Sequence, residues 1–318
     1  MTSTPMNTTS SAVTLTTPMN TTSSAVALTT SAQNKSTGNR EDDEYHTLLA
    51  VIYTTVLLIG TTSLSITIHF MKSRTFSTTS VAVVNLIFAH FLFLLTVPFR
   101  IYYHVAQEWS LNLSWCKVVS SMVHIHMYIS FGIYIVILVT RLMVFYRDSE
   151  QLPSSRRIYA RVASVMLWMI VLMIVTYIIY FHYGKSSNDT SLQCFRFGRE
   201  IESPAPRVIN YIISTLFIIV AVSLTGLQAY VLCLLYRKHH QCCTSQQDFG
   251  AQQKSLTFAL VMVVCFIPYH IFRLYYLEHR ELENLNEVFL SLTTFNCLDM
   301  LVLFRRRACL VCLPGKSI

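Results

Sequence analysis

His90, Arg100, His124, Arg141, His270, Arg273 and Asp299 each stand inside or at the edge of a long apolar stretch. Ionisable groups in such surroundings are costly unless partnered, and in a membrane they mark function. Arginine forms paired bonds to carboxylate or phosphate, so Arg100 and Arg273 suit an anionic ligand. Snorkelling of both guanidinium groups to a membrane surface fits the same two residues. No carboxylate dyad, His-rich metal cluster, phosphate-binding glycine loop or nucleophile elbow accompanies them. The expectation is therefore a protein that is not an enzyme, with no cofactor and no metal.

The elements that must carry these residues are membrane helices. The chain is 53% hydrophobic and 13% charged, against about 25% charged in soluble domains. Roughly 20 apolar residues cross a bilayer as a helix, and seven such stretches occur: 48–71, 79–102, 116–146, 160–182, 208–235, 256–277 and 285–304. The fold class expected is an all-α membrane protein, a seven-helix bundle. Thr54, Thr55, Thr61, Thr62, Ser63 and Ser65 weaken the first span, but hydroxyls can bond back to their own helix's carbonyls. The last span carries Glu287 and Asp299 and runs into Arg305, Arg306 and Arg307, which also fits a helix that inserts poorly.

Basic residues set the orientation. With the N-terminus outside, fourteen of the 24 Lys and Arg lie on the cytoplasmic side, and the outer side is near neutral. The pI near 9.0 then reflects topology and attraction to anionic inner-leaflet lipid, not nucleic-acid binding. Residues 1–46 form an arm with a Thr/Ser-rich repeat, Thr4 to Val13 recurring as Thr17 to Val26, and too few large apolar residues to order it. Its sequons at Asn7, Asn20 and Asn34, and those at Asn112 and Asn188, all fall on the outer side. No cleavable signal peptide is visible, so the first span is expected to act as the targeting signal. Residues 47–304 form the membrane domain and 305–318 a short basic tail. Cys116 and Cys194 both face the oxidising side, where a disulfide is expected. Cys309 and Cys312 beside the basic run fit reversible acylation and unmodified thiols alike.

The seven spans, the Cys116–Cys194 pair and a set of landmarks together resemble the rhodopsin-like G-protein-coupled receptors. The landmarks are Asn85-Leu86 and Ala89, Arg141 at 25 residues after Cys116, Trp168, Tyr230 and Phe266-Ile267-Pro268-Tyr269-His270-Ile271-Phe272-Arg273. The last of these, with Thr96-Val97-Pro98, is similar to the nucleotide- and lipid-receptor branch. The resemblance covers about residues 46–304. It implies a plasma-membrane receptor whose sixth helix, kinked at Pro268, swings outward when a ligand binds the outer half. Lys254 and its loop would then face a heterotrimeric G protein, with arrestin as a further partner. A ligand pocket is implied under the Cys194 loop, with Arg100, Tyr103, His124, Met127, Tyr128, Tyr269, His270, Arg273 and Phe289 as inward candidates and no matching acid among them. Val123 stands where amine receptors need an aspartate, and Thr293 where opsins need a lysine. A lipid or small carboxylate is the first expectation and a nucleotide the second.

The departures are informative. Thr140 replaces the acid before Arg141, which leaves high basal activity and poor coupling both open. His90 stands at the second helix's aspartate, and the seventh-helix motif survives only as Asp299. In the family these positions face each other and help hold sodium, so the resemblance implies a hydrogen-bonded His90–Asp299 pair and no sodium site of the usual kind. Two rival classes remain. A transporter is disfavoured by the lack of an internal membrane repeat. A non-signalling receptor-like glycoprotein (scavenger, partner subunit or degenerate paralogue) fits the eroded seventh helix and short tail.

Overall fold

The computed structural model describes residues 22–71, 78–146, 153–181, 194–195, 204–239 and 246–302. Six helices come first: α1 (Thr22–Met71), α2 (Thr78–Ala106), α3 (Leu113–Tyr146), α4 (Pro153–Phe181), α5 (Pro204–His239) and α6 (Gln246–Tyr276). A seventh span follows in three pieces: α7 (Glu283–Leu292), a 3₁₀ stretch (Thr293–Leu298) and α8 (Asp299–Val302). No strand occurs among the described residues. The fold is an all-α seven-helix membrane bundle. The expectation of one regular helix over 285–304 is corrected, because 3₁₀ winding interrupts it. Among the described residues five helices are long and apolar enough to cross a membrane, and Arg161–Tyr177 of α4 is a shorter apolar helix.

The chain divides after Glu44 into two compact units. In the first, the chain is helical from Thr22 onward, where the sequence reading expects an irregular arm to residue 46. No proline occurs between Pro18 and Pro98, and once a helix is nucleated each further residue adds one hydrogen bond. Asn7, Asn20, Asn188 and the tail 305–318 lie outside the described residues.

The second unit, Tyr45–Ile318, holds the bundle. The hydroxyls of the first span are satisfied as helix chemistry allows. Thr54 donates to the Ala50 carbonyl at 2.7 Å, Thr55 to Val51 at 2.8 Å and Thr62 to Leu58 at 2.7 Å. Ser63 instead donates to the Cys297 carbonyl at 3.0 Å and ties α1 to the seventh span. The core gathers Tyr53, Leu86, Phe93, Met127, Ile133, Tyr134 and Phe266, all buried. Outward, Val165, Met166, Met169 and Met173 of α4 and Ile212, Leu216, Ile219 and Val222 of α5 are exposed. A continuous apolar exterior over a partly polar core is the surface of a multi-pass membrane protein, for which lipid is the solvent.

α3 is the central helix, in contact with α2, α4, α5, α6 and the 3₁₀ stretch. Gly132 makes room for α4, since a Cβ there would lie 2.5 Å from Leu167 Cδ1. At one end the disulfide joins Cys116, at the start of α3, to Cys194 across a Cα separation of 6.0 Å. This end is called the disulfide end below, and the opposite one the basic end.

Candidate functional site

Arg100 reaches the interior of the disulfide end from the last turns of α2. It is fully buried, and its guanidinium is caged. Nη1 donates to the Tyr53 hydroxyl at 3.0 Å and to Glu287 Oε1 at 3.3 Å, while Nη2 donates to the Val119 and Ser120 carbonyls at 3.3 and 3.2 Å. The ring of Phe195 covers the guanidinium at 4.4 Å. Phe195 follows the bridged Cys194 with a φ of 70°, a strained conformation for a bulky residue. It packs edge-on against Tyr103 at 4.9 Å and Trp109 at 5.8 Å. Tyr45 donates to the other oxygen of Glu287 at 3.3 Å. The expectation that no acid answers the two arginines is therefore corrected at Arg100. In the sequence Glu287 reads only as a liability of the last span. The register of α7 turns it toward α2, where it serves as a counter-ion.

Arg273, on α6, is also buried, yet its partners differ. Nε and Nη2 donate to Asn210 Oδ1 at 3.2 and 3.1 Å, and Nη1 to Asn286 Oδ1 at 3.2 Å. Among the described residues its hydrogen-bond acceptors are amide oxygens, not a carboxylate. One turn earlier, His270 Nδ1 lies 3.2 Å from the Ser214 hydroxyl, and its buried Nε2 has no partner among the described residues. Phe217 packs against His270 at 4.2 Å and Tyr128 at 5.7 Å, and Phe289 stacks on Phe272 at 4.4 Å. Tyr269 and Met127 are buried, and His124 is half-buried with Nδ1 3.4 Å from its own helix's Ser120 carbonyl. Beyond α6, Glu278 accepts from Arg207 at 2.6 Å and from the Tyr211 hydroxyl. These two donors hold its carboxyl below the usual carboxylate range.

The nine ligand candidates thus fall into two groups. Arg100 and Tyr103 belong to the cage under Phe195. Arg273, His270, Tyr269, Tyr128 and Phe289 gather around α5, α6 and α7, with His124 and the buried Met127 on α3. A cavity of about 440 Å³ at the disulfide end, lined by Ala50, Thr54, Thr55, His104, Val105 and Gln107, opens between α1 and α2 instead.

Mid-bundle, His90 Nε2 lies 3.2 Å from Asp299 Oδ1, the contact expected from the resemblance. The other oxygen of Asp299 accepts from the Tyr134 hydroxyl. The sequence reading missed what surrounds this pair: His90 Nδ1 is 2.7 Å from His126 Nε2, and Cys297 Sγ lies 3.6 Å from the first and 3.8 Å from the second. Cys297 read as a packing residue, and His126 stood only as part of the stretch His124 to Tyr128. Only the bundle brings them to His90.

At the basic end, Arg141 is half-buried, with no ion pair among the described residues. Another tie joins the helices there. Gln228 of α5 donates to the Leu138 carbonyl at 3.0 Å and accepts from Gln252 of α6. Both glutamines are buried, and this clamp had no signal in the sequence beyond two amides in apolar helices. Tyr230 faces outward and Lys254 is half-buried. Pro268 sits inside α6, with Phe266 fully buried against Phe131 and Tyr134. Asn112, at the disulfide end, is exposed and accepts from the Ser114 amide through its side chain at 3.0 Å. Asn34 lies within α1.

Comparison with known proteins agrees with this architecture. Residues 61–301 match the family model for the 7 transmembrane receptor (rhodopsin family). The chain is similar to the human Probable G-protein coupled receptor 141, 38% identical over 80% of this chain and 86% of the relative. It is also similar to a purinoceptor of the rat, 24% identical over 72% and 75% of the two chains. The human N-arachidonyl glycine receptor is 23% identical over 72% and 70%.

Proposed function

We propose, from the premise that this chain belongs to the rhodopsin family of seven-transmembrane receptors, that it is a plasma-membrane receptor for an anionic lipid or small carboxylate that signals to a heterotrimeric G protein. The disulfide end faces outward with the N-terminus, and the basic end faces the cytosol. The observation that carries the ligand class is Arg273: a buried guanidinium whose hydrogen-bond acceptors among the described residues are amide oxygens, with the Tyr276 ring 5.3 Å away and no carboxylate. A cation so placed gains more from an incoming carboxylate than one already paired, because the carboxylate brings the opposite charge and can accept two parallel N–H bonds, which an amide oxygen cannot. His270, Tyr269 and Tyr128 supply further polar contacts, and Phe217, Phe272 and Phe289 an apolar wall. Two relatives are named for an N-acyl glycine and for purines, so both an acyl carboxylate and a nucleotide are tested. Arg100, whose two Nη atoms are held by Glu287, Tyr53 and two carbonyls, holds the helices together rather than holding ligand.

Signal transfer runs through the aromatic column His270, Phe217, Phe131, Phe266 and Tyr134 to Asp299. Outward motion of α6 at its cytosolic end requires the Gln252–Gln228 bond to break, which exposes Arg141 and Lys254 to the G protein, with arrestin a further partner. The test is nucleotide exchange on surface-matched receptor with fatty-acyl carboxylates, their methyl esters and nucleotides. Response to a free acid, silence to its ester and loss in Arg273→Gln support the reading; equal response to acid and ester overturns the anion. The 3₁₀ interruption of the seventh span at Thr293–Leu298 favours one rival, a receptor-like glycoprotein without coupling. State-independent exchange and equal signalling by wild type and Arg141→Ala would establish that rival.

A further inference from the structure

We propose that His90, His126 and Cys297 form an intramembrane binding site for a borderline transition-metal cation of the Zn²⁺ class. Three helical elements, α2, α3 and the 3₁₀ stretch, each contribute one ligand. The three ligand atoms lie within 4.8 Å of one another, and all three residues are buried.

The geometry is that of a metal site held closed by a proton. Zinc bonds of about 2.0–2.1 Å to nitrogen and 2.3 Å to sulfur at tetrahedral angles give N···S separations of about 3.6 Å and an N···N separation of about 3.3 Å. Here the two N···S distances are 3.6 and 3.8 Å. The N···N distance is 2.7 Å, that of a hydrogen bond. Replacing the shared proton by a metal ion therefore asks the two imidazoles to part by about 0.6 Å and leaves the thiol where it is.

The surroundings set the tautomers. Asp299 Oδ1 accepts from His90 Nε2–H at 3.2 Å, which leaves the His90 Nδ1 lone pair facing the site. A carboxylate behind a ligating imidazole, fixing its tautomer and raising its basicity, is the usual outer shell of a zinc histidine. Tyr134 anchors the other carboxylate oxygen. His126 Nε2–H donates to His90 Nδ1, so His126 Nδ1 is bare, and it has no partner among the described residues. Phe93 stacks on the His126 ring at 4.3 Å and fixes its plane. On binding, Cys297 Sγ loses its proton to solvent as the S–metal bond forms. The His126 proton moves from Nε2 to Nδ1, so one proton is released per ion. Buried polar groups without partners occur beside the site: the Ser130 hydroxyl, one turn beyond His126 on α3, and both amide atoms of Asn296, next to Cys297.

Two imidazoles and a thiolate select against Na⁺ and Mg²⁺, which take oxygen donors, and favour borderline and soft ions. The site stands independently of ligand binding at Arg273, since it shares no residue with that group.

The test uses the full chain in lipid nanodiscs, with Cys242, Cys243, Cys309 and Cys312 replaced by serine to remove cytosolic thiols. Protein from cells grown with Zn²⁺ is assayed for metal per chain, then exchanged with Co²⁺ and read by absorption. Expected are one ion per chain, a tetrahedral cobalt spectrum with a thiolate-to-cobalt band, and displacement by Zn²⁺ but not by Na⁺ or Mg²⁺. Cys297→Ser should abolish the thiolate band, His126→Gln should weaken binding sharply, and Asp299→Asn should weaken it about 10–100-fold with the band intact. Absence of the thiolate band in the parent protein, or its persistence in Cys297→Ser, overturns the proposal. Should Cys297→Ser not fold, the parent spectrum and His126→Gln decide on their own.

Discussion

Two buried arginines stand at the same end of the bundle, and their partners divide their roles. Arg100 meets a carboxylate, a phenol, two carbonyls and an aromatic lid. Arg273 meets the amide oxygens of Asn210 and Asn286. Burial alone does not separate them, since both are below a tenth exposed. A guanidinium whose charge is already neutralised is structural, whereas one solvated by neutral dipoles keeps most of its attraction for an anion. The comparison teaches that an intramembrane cation must be read with its acceptors before it is assigned to a ligand.

The largest effect should come from unpairing Arg100. Glu287→Leu leaves a buried uncompensated charge and should cost about 3–5 kcal/mol, seen as a fall in thermal stability and surface level. The double variant Arg100→Met/Glu287→Leu should recover most of that loss. Were Glu287→Leu harmless, Arg100 would not be held as described. Next, Arg273→Gln should leave expression near wild type but lower the potency of an anionic agonist by about 2–5 kcal/mol, or roughly 30- to 4,000-fold. An equal collapse in stability would erase the distinction. Third, Phe195→Ala removes the lid from Arg100, a cation–π contact worth up to about 2 kcal/mol when desolvated. It should lower melting temperature while sparing agonist potency. Gln252→Leu, which breaks the clamp to Gln228, should raise basal nucleotide exchange through a bond worth about 1 kcal/mol.

The smallest effect concerns Glu278, exposed beyond α6. Its folded carboxyl titrates below its unfolded value because Tyr211 and Arg207 bond the charged form. Its contribution is thus present above the usual carboxylate range and lost as pH falls through the depressed value. Melting temperatures of wild type and Glu278→Gln should converge in acid and separate slightly at neutral pH.

Much of the architecture was legible because membrane helices announce themselves by length and apolarity. The hydroxyls of the first span bonded back as helix chemistry dictates, and Cys116 met Cys194. The seventh span was less legible. Glu287 read only as an obstacle to insertion when in fact it meets Arg100 on another helix, and the partner of Asp299, His90, came from the resemblance and not from the span itself. Partners supplied by other helices leave no periodic signal within the span itself. His126, Cys297, Gln228 and Gln252 were missed for the same reason. Phe195 lay beyond pattern reading because its role depends on where the disulfide sets the chain down. Helicity from Thr22 went unread because a polar, Thr-rich composition argues for irregularity while the absence of proline permits a helix.

The six residues from Thr293 to Leu298 carry a mechanical consequence. A 3₁₀ coil turns about 120° and rises about 2.0 Å per residue, against about 100° and 1.5 Å in an α-helix. Rewinding this stretch to α would shorten the span by about 3 Å and rotate everything after it by about a third of a turn. Asp299 is the next residue, so such a screw motion would carry its carboxylate out of reach of His90 and Tyr134 together. The last span is thereby wound like a ratchet whose single click disengages the centre of the bundle.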